Sequence, residues 1–139
     1  MPEMITLNAL KAPTDWIKLL SLATSPEHAR NAYASYRKHK DKTLYGYKIQ
    51  SRLVGCVGIE RHSVTQITIL HLAVEPNSRH QHIASTMIDF LSRTWTKASL
   101  TAETDREAVG FYYKNGFSIR SLGELYPGTE RFSCVRFKK

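Results

Sequence analysis

Acidic residues, cysteines and long apolar runs are all in short supply in this chain. Twelve Asp and Glu stand against 20 Lys and Arg, which leaves a formal charge of +8 over 139 residues. An excess of that size attracts polyanions: nucleic acid, an acidic membrane surface, or a cofactor with several phosphates. The basic residues are spread along the chain rather than massed. Their densest run, Arg37-Lys38-His39-Lys40-Asp41-Lys42, is broken by an aspartate and reads as a solvated helix end with its connection. Basic-aromatic interleaving, helix-turn-helix spacing and zinc-finger spacing are all missing, and the charge suits a cofactor with several phosphates as well as it suits nucleic acid.

Cys56 and Cys134 are the only cysteines, each inside a strand-like apolar stretch. They read as small buried hydrophobes; no metal-ligand spacing and no disulfide framework is present. No apolar run approaches the ~20 residues needed to span a bilayer. The stretch Met1 to Lys11 lacks the charged-then-apolar layout of a secretory signal, so the cytoplasm is the expected compartment and no membrane partner is expected. Repeats, low-complexity tracts and linkers are absent, and the length suits one domain with a substantial core.

The residues that are present alternate between strand and helix patterns. Ile5 to Leu7 reads as a short strand. Thr14 or Asp15 can cap a helix carrying Trp16, Ile17, Leu19 and Leu20. Ser25-Pro26-Glu27 places a capping serine, a proline at the first helical position and an acid in the first turn, with Ala29, Ala32, Tyr33 and Tyr36 following at helical spacing. Leu44 to Ile49 and Leu53 to Ile59 form a hairpin through Gln50-Ser51-Arg52. Gln66 to Val74 is apolar on both alternating faces, which predicts a central strand covered on both sides. Ala84, Met87, Ile88, Leu91 and Trp95 make one continuous helical stripe. Leu100 to Thr104 is a strand, and Asp105 caps a helix from Arg106 to Asn115 that Gly116 ends in a left-handed conformation. Phe117 to Leu122 and Arg131 to Phe137 are the last strands, joined by a type II turn at Tyr126-Pro127-Gly128-Thr129. The expected fold is therefore a single α/β domain over residues 1–139, with a mixed, mostly antiparallel sheet flanked by about four helices.

Two stretches carry chemistry. Arg79-His80-Gln81-His82-Ile83-Ala84 lies between the central strand and the striped helix, where unpaired N–H groups and a positive dipole end can meet an anion. The second is Asp105-x-x-Ala108-x-x-Phe111-Tyr112-Tyr113-Lys114-Asn115-Gly116-Phe117. Together they resemble the coenzyme A site of the GNAT superfamily of N-acetyltransferases, over roughly Leu44 to Phe137. The family's loop runs Arg/Gln-x-x-Gly-x-Gly/Ala, and its later motif has Asn where this chain has Asp105.

The resemblance implies acetyl-CoA as co-substrate, no metal, and acetyl transfer by direct attack of an amine. Neither cysteine has the histidine partner that a covalent route would suggest. It implies that the backbone from Arg79 through His80, Gln81, His82, Ile83 and Ala84 to Ser85 receives the diphosphate. Leu72, Ala73 and Val74, at a bulged and splayed strand end, would bond the pantetheine arm; Asp105 joins the cofactor-binding residues, as does Lys114, which suits a cofactor phosphate and a solvated face about equally. His82 departs from the family's glycine; its N–H can donate at negative φ with the side chain turned away. Tyr112, not Tyr113, matches the general acid that protonates the leaving thiolate. Some relatives carry a glutamate base where Thr68 stands here; His71, Glu60 and Glu75 are the substitutes.

The implied acceptor is a small-molecule or peptide amine of unread identity. A non-catalytic acyl-CoA sensor of the same fold is the alternative that His82 keeps open, and a basic nucleic-acid binder is a more distant one. The strand near Phe132 to Phe137 offers an edge for a homodimer, and its many charges equally suit a protected edge, so the sequence leaves the oligomeric state open.

Overall fold

A computed structural model describes residues 2–7, 14–79 and 81–138, with side chains except at positions 14–16 and 125. The order is β1 (Glu3–Thr6), α1 (Thr14–Ser21), α2 (Pro26–Lys38), β2 (Lys42–Ile49), β3 (Arg52–Ser63), β4 (Gln66–Val74), a 3-10 turn (Pro76–Ser78), α3 (Ile83–Thr94), β5 (Ser99–Asp105), α4 (Val109–Lys114), β6 (Ser118–Tyr126) and β7 (Thr129–Arg136). The expected cap at Thr14 or Asp15 and the placement of Trp16 lie outside the described side chains. Among the described residues, no helix is long and apolar enough to cross a membrane.

The strands form one sheet in the order β1-β2-β3-β4-β5-β7-β6. Every pairing is antiparallel except β4 with β5, the two strands joined by α3. This is the mixed, mostly antiparallel sheet flanked by four described helices that the patterning predicts, and β4 is its central strand. The sheet order corrects one expectation. Strand β7 is bonded on both sides, by β5 and by β6, so it has no free edge through which a dimer could form. The outer edge belongs to β6. Its pairing shifts register at Ser121/Gly123 and again at Glu124/Tyr126, irregularities of the kind that blunt an edge.

Alternation along the strands feeds two cores. Leu7, Leu20, Tyr36, Leu44 and Cys56 belong to one, with α1 and α2. Val57, Ile59, Met87, Ile88, Leu91 and Leu100 belong to the other, with α3. Met87, Ile88 and Leu91 are fully buried, and each such side chain contributes about 1.5–3 kcal/mol relative to exposure. Both cysteines are free and buried, Cys56 in one core and Cys134 in the other, as apolar packing residues. Burial pushes the Cys56 thiol up to about 12.

Helix starts follow local chemistry. Ser25 caps α2 by accepting the His28 N–H at 3.2 Å, with Pro26 at the first position. The helix after β5 begins later than the sequence suggests, at Val109 rather than Arg106. Asp105 Oδ1 accepts the Ala108 N–H at 3.0 Å. Its side chain therefore closes a turn before the helix instead of capping the helix itself, a competition open to any aspartate.

Glycine matters where α2 crosses β3. A Cβ on Gly58 would lie 1.8 Å from the Tyr36 hydroxyl oxygen, and Tyr36 is only 1% exposed. The missing side chain is the space that holds the phenol. Gly58→Ala is expected to destabilise the fold by about 1–3 kcal/mol, as overpacking does, read from the denaturant midpoint; an unshifted midpoint would contradict this packing.

Candidate functional site

The site begins where two parallel strands part. Strand β4 pairs with β5 only from Gln66 to Thr68, opposite Ser99 to Thr101. At the last rung Thr68 Oγ1 and Thr101 Oγ1 are 2.9 Å apart, and the His62 Nε2 is 2.7 Å from the same Thr68 oxygen. Beyond that rung β5 keeps β7 on its far side as far as Asp105. Strand β4 keeps β3, but with one residue to spare: Gly58 faces His71 and Ile59 faces Ile69, leaving Leu70 as a bulge. A bulge bends its strand and increases the twist, which carries Leu70–Val74 away from β5.

The gap is a cleft of about 540 Å³ lined by His71, Leu72, Ala73, Val74, Glu103 and Tyr112, among others. The Glu75 N–H donates to Val54 O on β3 at 2.9 Å. Alternation then turns the N–H and C=O groups of Val74 and Leu72 to the opposite, open side. Arg79 Nε donates to Val74 O at 3.2 Å, consistent with that direction. The expected splay is thus present. Its bulge sits at Leu70, two residues before the stretch where the resemblance put it.

A second cavity of about 530 Å³ shares Val74, Arg79, Ala84 and Phe111 with the first. It lies against the start of α3 and is also lined by His82, Ile83, Ser85 and Lys114. Helix geometry leaves the first-turn N–H groups of Ile83, Ala84 and Ser85 without intrahelical partners. Thr86 N is the first to bond back, to His82 O at 3.0 Å. No acid occupies that first turn, so its positive end is not offset locally.

His82 has φ +60° and ψ +22°, a left-handed conformation, and its side chain makes no capping bond. The negative φ at which its N–H would donate with the side chain turned away is therefore not the one adopted. The turn imposes glycine's geometry on a histidine, at a cost of about 1–2 kcal/mol.

The other expected residues divide by position. Gln81 is exposed and lines neither cavity; His80 lies outside the described residues. Asp105 lines the main cleft, and Lys114 the second cavity. Tyr112 is 7% exposed whereas Tyr113 is 72% exposed, so helix phase separates the two as the spacing requires. The Tyr112 ring packs edge-on against Phe111 and Phe117, and burial, with the nearby Cys134 thiol, pushes its phenol up to about 12.

His71 lines the cleft, and burial, then the charge of Lys42, lowers its proton affinity. Glu60 pairs with Thr68 across β3–β4 and lines neither cavity. Glu75 is tied into an ion pair with Arg52 and accepts the Ser78 hydroxyl at 2.9 Å, outside both cavities.

Sequence reasoning passed over Leu22, Ala23, Glu103 and Arg131. The first two bring the α1–α2 connection to the cleft, and the last two form an ion pair at 3.7 Å beside it. Only alternation about Ala102, which is buried, hinted that Glu103 faces outward.

The strained turn makes a direct prediction. His82→Gly should be more stable than His82→Ala by about 1 kcal/mol, because only glycine accepts this backbone freely. Equal denaturant midpoints for the two variants would refute the left-handed assignment.

With the geometry in hand, comparison with known proteins is specific. Residues 40–119, more than half of the chain, match the family model for an acetyltransferase (GNAT) domain. Solved structures share the fold over nearly the whole chain. A GNAT family acetyltransferase from Elizabethkingia anophelis with acetyl-CoA bound is 18% identical, with TM-score 0.75 and coverage of 98% of this chain and 97% of that one. An aminoglycoside 6′-N-acetyltransferase complexed with coenzyme A is 16% identical, with TM-score 0.81 and coverage of 97% and 96%. The ribosomal-protein-S18-alanine N-acetyltransferase of Escherichia coli is 15% identical, with TM-score 0.79 and coverage of 100% and 96%. At such identities the likeness is one of fold. Family match and shared fold agree: this chain belongs to the GNAT family of acetyltransferases.

Proposed function

We propose that the protein is an N-acetyltransferase that passes the acetyl group of acetyl-CoA directly to an amine. The observation that carries this reading is the cleft itself. An opened strand edge runs between a buried tyrosine and an unoffset helix N-terminus, and two cavities share lining residues along it. The solved relatives with acetyl-CoA or coenzyme A bound support the choice of co-substrate.

Each part of the cleft suits a part of that molecule. The free N–H groups at the start of α3, with Arg79 and Lys114 beside them, suit the phosphates. The outward N–H and C=O groups of Leu72 and Val74 suit the amide-bearing arm, received like an added strand. An N–H on that edge that faces the thioester oxygen stabilises the charge developing there by about 3 kcal/mol.

The proton balance assigns the ionisable groups. The acceptor enters as an ammonium and gives one proton to Nε2 of His71. Its nitrogen lone pair then forms the C–N bond, and the C–S electron pair leaves on sulfur. The Tyr112 hydroxyl protonates that sulfur, and the second proton of the acceptor nitrogen restores the phenol through water. His71 returns its proton to solvent, so one ammonium and one thioester give one amide, one thiol and one proton. Glu60, outside the cleft, takes no part.

Tyr112→Phe is expected to lower kcat by roughly 100-fold or more, with coenzyme A affinity by calorimetry little changed; an unaltered rate would remove Tyr112 from the chemistry. The pH profile carries signs. Tyr112 acts as its protonated form, and with its phenol held near 12 kcat should not fall between pH 8 and pH 10. His71 acts as its neutral form, and its lowered proton affinity places the acid-side loss below the ordinary histidine value of about 6.5. A loss of kcat centred near pH 10 would contradict the first assignment.

A further inference from the structure

We infer that Tyr36 is a positioning residue for His71: its hydroxyl oxygen, lodged in the space that Gly58 leaves, accepts the Nδ1–H of His71 and so leaves Nε2 bare towards the cleft. The inference rests on the proposed transfer reaction, in which His71 is the base. The Tyr36 hydroxyl lies 2.5 Å from His71 Nδ1, and the two rings meet edge to face with centroids 5.6 Å apart.

The contact is built by three elements. Tyr36 projects from α2, Gly58 lies beneath it on β3, and His71 is Gly58's partner across the β3–β4 pairing. His71 sits immediately beyond the Leu70 bulge, so the irregularity that opens the cleft also sets the direction of this ring. With Nδ1 engaged by a buried phenol, Nε2 is the ring nitrogen left for the cleft that His71 lines.

Chemistry then selects the tautomer. If the phenol donated to Nδ1, the ring proton would sit on Nε2, and no lone pair would be left there to take a proton from the acceptor. With Nδ1–H donating to the phenol oxygen, Nε2 is free, and the imidazolium formed on protonation keeps the same hydrogen bond. Burial raises the phenol's own proton affinity and lowers that of the imidazole, which keeps both rings neutral before substrate arrives. The ionisable groups bearing on the pair are Cys56 and Glu60 from β3, near the phenol, and Lys42 from β2. The Lys42 ammonium is held 2.9 Å from the Ser35 hydroxyl on α2.

The test is nitrogen-detected NMR of the histidine rings in the full unliganded chain, with His71 assigned by a His71→Asn variant. The expected result is an Nδ1–H tautomer for His71 that loses its dominance in Tyr36→Phe, a change that keeps the ring and removes the oxygen. In parallel, Tyr36→Phe should lower kcat at least 10-fold and shift the acid limb of the kcat/KM profile, leaving the KM for acetyl-CoA within about 2-fold. An Nε2–H tautomer in the unmodified protein overturns the inference even if the variant does not fold. A Tyr36→Phe protein with full kcat and an unmoved acid limb overturns it as well. Failure of the unmodified protein to release thiol from acetyl-CoA with any amine overturns the transferase reading instead.

Discussion

Strands β4 and β5 run together for three residues and then separate, and the cleft depends on that separation. The threonine pair at Thr68 and Thr101 marks the last shared rung, and the extra residue at Leu70 bends one strand off the other's course. Opening a sheet at its centre exposes backbone groups that would otherwise be paired, and unpaired buried backbone groups are costly. Here they face a cleft instead of a packed core. The sheet tolerates the split because each half keeps its other neighbour, β3 for the first and β7 for the second.

Two further features follow from the same opening. Tyr112 reaches the cleft from α4, which follows β5, and the start of α3 reaches it from the crossover that must join two parallel strands. The order of the chain therefore brings a buried tyrosine, an open strand edge and a helix N-terminus with no acid in its first turn to one groove. On the other side of β4, α2 sends Tyr36 across Gly58 to His71. Gly58 and position 82 are constrained in opposite ways. At Gly58 the space is used by a neighbour. At position 82 the backbone asks for glycine and receives histidine, which holds the left-handed turn at an energetic cost.

Much of this was legible in the residues. The two-faced apolar run from Gln66 to Val74 announced a central strand, and the stripe from Ala84 to Leu91 announced the crossover helix. Ser25-Pro26 marked a helix start, and Gly116 a left-handed stop at φ +86°. Tyr112 was separable from Tyr113 because helix phase is fixed by geometry.

What escaped has physical reasons too. A bulge such as Leu70 has no residue signature, since it arises from a mismatch between two strands. The insertion of β7 between β5 and β6 is a matter of sheet order, which local pattern does not encode. Asp105 offered the same side-chain acceptor to a turn as to a helix, and tertiary context chose the turn. The Tyr36–His71 contact joins residues 35 apart through a glycine on a third element, so neither motif nor spacing could reveal it.

The most direct test of the account is to follow the backbone amide resonances of the protein while coenzyme A is added. The account predicts that the amides of Leu72 and Val74 and those from Ile83 to Ser85 shift together, saturating with one affinity. If these amides stay in place at millimolar coenzyme A, or if only scattered surface lysines respond, the opened strand edge is not where the cofactor binds.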